Sequence, residues 1–149
     1  MFCRVRPLLP FELKKGYRSC ITFPEEGQLI VHQANKKSDD IIEHFFEFDQ
    51  VYNTGTSQEA ACEDTTEYIQ SVMDGYNVSI FAYGQTGSGK TFTMMGPPEN
   101  PGVNRRALAA LFKMVDQREG MYDYNIMLSI FEIYNNEPRD LLDNNAAKG

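Results

Sequence analysis

The stretch AYGQTGSGKTFTMMG, residues 82–96, gathers Gly84, Gly87, Gly89 and Lys90 with the hydroxyls of Thr86, Ser88 and Thr91. Gly84, Gly89, Lys90 and Thr91 fit the pattern G-x-x-x-x-G-K-[ST]. A phosphate chain needs several backbone N–H groups turned inward at once, and glycines allow both the tight path and the close approach. The pattern predicts a helix starting at Gly89 or Lys90 with its positive end toward the phosphates. Lys90 would neutralise the β- and γ-oxygens, and the Thr91 hydroxyl would ligate Mg²⁺. Residues 78–83, nearly all apolar, read as a strand buried on both faces of a parallel sheet and feeding the loop.

Outward from the loop, the chain alternates short strands with two helical patterns. Residues 2–6 alternate, with Cys3 and Val5 on one face and Arg4 and Arg6 on the other, until Pro7 stops the strand. Residues 20–23, 29–32 and 45–48 read as strands of small hairpins. Thr56 to Glu59 has the form of a capping box ahead of a helix that Gly75 closes. The prolines at 97, 98 and 101 forbid a long helix after the loop, and a second helix is expected from a cap at Asn104. Residues 124–134 return to strand character, 139–142 begin another element, and 144–149 read as a polar loop.

At 149 residues the chain suits one domain with a core of its own. It contains no apolar run long enough for a membrane span and no signal-peptide pattern, so a cytosolic or nuclear setting is expected. Cys3, Cys20 and Cys62 are widely spaced and unpaired in pattern, which with only His32 and His44 argues against disulfides or a zinc site. The net charge of −7, with basic residues in small groups such as Arg4 and Arg6 or Lys36 and Lys37, argues against nucleic acid as a partner. Phosphoryl transfer asks for more than a cradle: an acid holding Mg²⁺ at a strand end and a group orienting water. Glu132, after the apolar residues 127–131, is the best acid available, but it also fits an ordinary alternating strand position.

The loop resembles that of the kinesin motor domain, and the likeness extends along nearly the whole chain. CRVRPL at 3–8, FDQVY at 48–52, TSQE at 56–59, GYN at 75–77, FEIYN at 131–135 and RDLL at 139–142 follow in the family's order. ENPGVNRRAL at 99–108 is most similar to the branch whose motors lie at the C-terminal end of the chain and commonly run toward the minus end. The resemblance implies an α/β phosphate-loop NTPase fold, a mostly parallel central sheet with flanking helices and small hairpins, present here in its N-terminal part. It implies that Gln85, Thr86, Gly87, Ser88, Gly89, Lys90 and Thr91 wrap the phosphates of ATP, with Mg²⁺ at Thr91. It places Arg4, Pro7 and Phe92 around the adenine, where a guanidinium can stack flat on a base. Glu132 then returns to a structural role, because the family's Mg²⁺-linked acid comes from a later segment.

Microtubules are the partner the resemblance implies, through segments beyond these residues, with neither membrane nor nucleic acid involved. It implies a cytoplasmic, microtubule-associated setting and allows a parent dimerised through a coiled coil outside this chain. Two family segments that sense the γ-phosphate, similar to NxxSSRSH and DLAGSE, do not occur in the 149 residues. The strands that would flank residues 78–83 would also come from elsewhere, predicting a gap or exposed edges in the sheet. Pro138 departs from the family and is expected to weaken the turn before Arg139. Three readings follow: the ATP-binding part of a microtubule motor, a nucleotide-binding or inert remnant without turnover, and an unrelated phosphate-loop kinase or GTPase.

Overall fold

The computed structural model describes residues 1–36, 38 and 40–143. Lys37 of the Lys36–Lys37 pair and the expected polar loop at 144–149 lie outside the described residues. The chain divides into two compact units, Met1–Met114 and Val115–Gly149.

In the first unit, β1 (Phe2–Arg4) runs parallel to β5 (Gln50–Tyr52), with Cys3 opposite Val51 and Arg4 opposite Tyr52. The Val5 N–H donates to the Tyr52 carbonyl at 2.9 Å and prolongs the pairing by one bond. β2 (Ile21–Thr22), β3 (Gln28–Ala34) and β4 (Ile41–Glu47) form an antiparallel sheet, the small hairpins expected, with β4 starting earlier than the 45–48 piece. His32 lies beside Glu43 and His44 beside Gln33 in this sheet, and the three cysteines are free thiols. Between β1 and β2, α1 (Pro10–Lys14) is too short to show a helical period in sequence.

The first expected helix is two. α2 (Gln58–Glu63) ends at Asp64, and α3 (Thr65–Met73) starts immediately after it. The Tyr52 hydroxyl donates to the Asp64 carboxylate, and the Thr65 hydroxyl takes the Cys62 carbonyl at 2.5 Å, so two side-chain bonds fix the break. Burial first, then the carboxylate, pushes the Tyr52 phenol well above its usual pKa. The cap is Ser57, whose Oγ accepts from the Ala60 N–H at 3.1 Å, and Thr56 instead closes a turn on Asn53. α4 (Lys90–Met94) is short, as the prolines require. α5 (Val103–Gln117) begins one residue before the expected cap. Asn104 lies inside it and donates to Met95 Sδ, while Arg106 Nε reaches the Pro101 carbonyl at 2.8 Å. Among the described residues the buried apolar side chains are Leu29, Tyr52, Ala61, Cys62 and Val103, from the hairpin sheet, β5, α2 and the start of α5.

Residues 78–83 do not form the expected buried strand: none of them enters a ladder, and Phe81 and Tyr83 are 88% and 102% exposed. A strand buried on both faces exists only through its neighbours, and no described strand lies beside this one. Parallel pairing among the described residues is confined to β1 and β5.

Among its described residues the second unit holds one hairpin, β6 (Phe131–Tyr134) and β7 (Glu137–Asp140), so strand structure covers only the end of the expected 124–134 span. Asn135 and Asn136, at φ +52° and +66°, form its two-residue turn. Ile133 faces Pro138, and the ladder bond from the Leu141 N–H to the Ile130 carbonyl sets the alternation that puts this pair in a non-hydrogen-bonded position. Pro138 therefore forfeits no ladder bond, contrary to the weakening expected of it. No helix among the described residues is long and apolar enough to cross a membrane.

Candidate functional site

The glycine loop follows residues 78–83 and ends where α4 begins. Gly87 and Gly89 take φ +80° and +102°, conformations that residues with a Cβ rarely adopt, and Gly89 directly precedes Lys90. A Cβ on Gly84 would stand 2.6 Å from Ser88 Oγ, so the loop closes on itself at that point. Ser88 N–H donates to the Gln85 carbonyl at 3.1 Å. The Lys90 ammonium folds back over the loop and donates to the Gly84 and Gln85 carbonyls at 2.8 and 2.9 Å. The lysine charge thus lies against two backbone carbonyls of the loop. Thr86, Gly87 and Thr91 are exposed beside it. With five residues, α4 contributes a first turn of amides rather than the dipole of a long helix.

Arg4, at the end of β1, meets Phe92 of α4: its guanidinium carbon lies 5.3 Å from the ring centroid. Its Nη1 donates to Gln58 Oε1 at 2.5 Å and to Thr93 Oγ1 at 3.1 Å. Burial draws the guanidinium below its usual pKa, while Cys62 and Tyr52 act in the opposite direction. A cleft of about 590 Å³ has Arg4, Arg6, Gln85 and Ser88 on its walls, and a smaller hollow of about 180 Å³ has Arg4, Ser88, Lys90 and Thr93. Arg4 and Ser88 are shared by both. Pro7 is exposed and lines neither; its carbonyl accepts from Arg6 Nη1 at 3.0 Å, and Arg6 grips Glu12 through two 2.7 Å bonds. Of the three residues expected around a base, the fold therefore joins Arg4 to Phe92 and leaves Pro7 apart. Glu132 lies on β6, 3.9 Å from Arg139.

Gln58 was not expected at this site. It is 2% exposed, and besides accepting from Arg4 it donates from Nε2 to the Phe92 carbonyl at 2.6 Å. The one signal in sequence was its place in the TSQE stretch, which reads there only as a helix start.

A glycine loop with a lysine folded over it, running into a short helix, has the form of the phosphate-loop nucleotide-binding class. The kinesin motor domain family matches residues 4–149, and the chain belongs to that family, whose members bind nucleotide. Among its relatives, kinesin-like protein KIN-14H of Arabidopsis thaliana is 46% identical over 149 residues, covering 97% of this chain and 14% of the relative. Kinesin-like protein KIN-14R of Oryza sativa subsp. japonica is 44% identical over 146 residues, covering 95% and 14%. Both belong to the C-terminal-motor branch that residues 99–108 resemble. The solved structure of a fast kinesin superposes with a TM-score of 0.84 at 29% identity, over 95% of this chain and 40% of that one. The fold is thus the kinesin motor fold in part, and the chain spans less than a fifth of the length of these curated relatives.

Proposed function

We propose that the chain is the ATP-binding part of a microtubule motor whose whole protein couples ATP hydrolysis to movement along microtubules. The observation that carries this is the Lys90 ammonium held against the 84–91 loop in a chain of the kinesin motor family. The backbone of Gly84, Gln85, Thr86, Gly87, Ser88 and Gly89 would receive the phosphates, with Lys90 neutralising them and Thr91 offering its hydroxyl to Mg²⁺. The glycine positions and the lysine fit such a group, since the loop path rests on φ values that a Cβ opposes. Arg4 and Phe92, already in contact, would border the adenine, and Pro7 would join them only by moving from the place it holds here. The setting is cytoplasmic and microtubule-associated.

The 149-residue chain on its own binds without turning over, because neither γ-phosphate-sensing segment occurs in its sequence. Lys90→Ala is the test. Losing a charge-assisted contact of about 1.5–3 kcal/mol weakens ATP binding roughly ten- to hundredfold in a fluorescent-nucleotide titration. Equal affinity in the variant would remove Lys90 from the site. Microtubule-stimulated phosphate release by the chain, abolished in the variant, would overturn the absence of turnover.

A further inference from the structure

We propose that Gln58 is the positioning residue for base recognition: it fixes the plane of Arg4 against Phe92 and so makes the site prefer ATP over a bare phosphate chain. This rests on the nucleotide-site reading above. Gln58 opens α2, and the Ser57 cap fixes its backbone. Both ends of its buried carboxamide are engaged, one by Arg4 and the other by the Phe92 carbonyl. A guanidinium only donates and a carbonyl only accepts, so the two partners allow a single orientation of the amide. The two protons of Arg4 Nη1 go to Gln58 and Thr93, which pins one edge of the guanidinium while its central carbon lies 5.3 Å from the ring centroid. The same amide donates to the backbone carbonyl of Phe92, so one side chain holds both members of the base platform. A stacking surface works only if its plane is held before the base arrives, because an arginine free to swing must be ordered at the cost of affinity.

Competition titrations with ATP and inorganic tripolyphosphate on the 149-residue chain separate the base from the phosphates. In Gln58→Met, which keeps the buried volume, ATP affinity falls about tenfold while tripolyphosphate affinity holds. In Gln58→Glu, which keeps an acceptor facing Arg4, the preference for ATP survives. A purely structural role reverses that order, since a carboxylate buried against the Phe92 carbonyl is the more damaging change. An unchanged preference in Gln58→Met, or equal loss of both ligands in the two variants, overturns the positioning role. Failure of tripolyphosphate to bind the unmodified chain overturns the phosphate-site reading itself.

Discussion

Gly89 stands at φ +102° immediately before Lys90, and a Cβ there would meet nothing within 4 Å. Any effect of Gly89→Ala is therefore one of backbone strain, of order 1–3 kcal/mol, and not of crowding. The expected result is a loop that relaxes away from this conformation and a nucleotide affinity lower by about tenfold or more, with the circular dichroism of the rest of the chain preserved. Unchanged affinity would show that the loop does not need this conformation to bind. The loop was readable at this scale because glycine, lysine and threonine at fixed spacing encode a local path, and local paths survive translation from sequence to structure. Arg4 and Gln58 are 54 positions apart, and their bond exists only because β1 and α2 converge on α4. A sequence shows that glutamine as one polar residue near a helix start. Neither its burial nor its two partners has any periodic trace.

Elements were legible where their own residues decide them and illegible where neighbours do. The hairpin strands follow from β-favouring runs between turn-rich stretches, and the short α4 follows from the prolines after it. Residues 78–83 have the composition of a central strand, but a strand is a property of pairs, and without partners the apolar run stays outside any ladder. α1 is the opposite case, a helix with no period, held by its ends. Pro10 opens it, and Glu12 accepts from the Leu9 N–H at 2.7 Å while gripping Arg6 with both oxygens. Arg6, then the Leu9 amide, lowers the Glu12 pKa from 4.5 to about 2. The depressed value means that the carboxylate's contribution is present above about pH 4.5 and is lost as pH falls toward 2. Protection of the Leu9 amide and of α1 from exchange, taken relative to an unstructured peptide at the same pH, is expected to fall across that window in the unmodified chain. In Glu12→Gln that protection is low already at neutral pH and does not change across the same window. A wild-type profile without this acid step would show that the Arg6 fork does not hold α1 in solution.

For the whole molecule the decisive quantity is surface. The chain exposes 12284 Å² at 17.0 kDa, whereas a folded monomer of that mass exposes about 7,700 Å². Even two separately folded units of 114 and 35 residues would expose only about 9,000 Å². Much of the remainder is apolar: Phe81, Tyr83, Met127 and Tyr134 are largely uncovered, and β4 offers Ile41, Ile42, Phe45 and Phe46 along a strand paired on one side only. The five buried apolar side chains among the described residues are few to set against the entropy of ordering the chain. The isolated 149-residue chain is therefore expected to be marginally stable and to associate at roughly micromolar concentration and above, through open strand edges and apolar surface. Sedimentation velocity should show a boundary that grows with concentration, and thermal unfolding should be broad. Phe45→Lys, which sets a charge on the exposed face of edge strand β4, should shift the distribution back toward monomer. A single 17.0 kDa boundary at every concentration together with a sharp cooperative melt would defeat this expectation, because a chain with that much apolar surface uncovered could not give either.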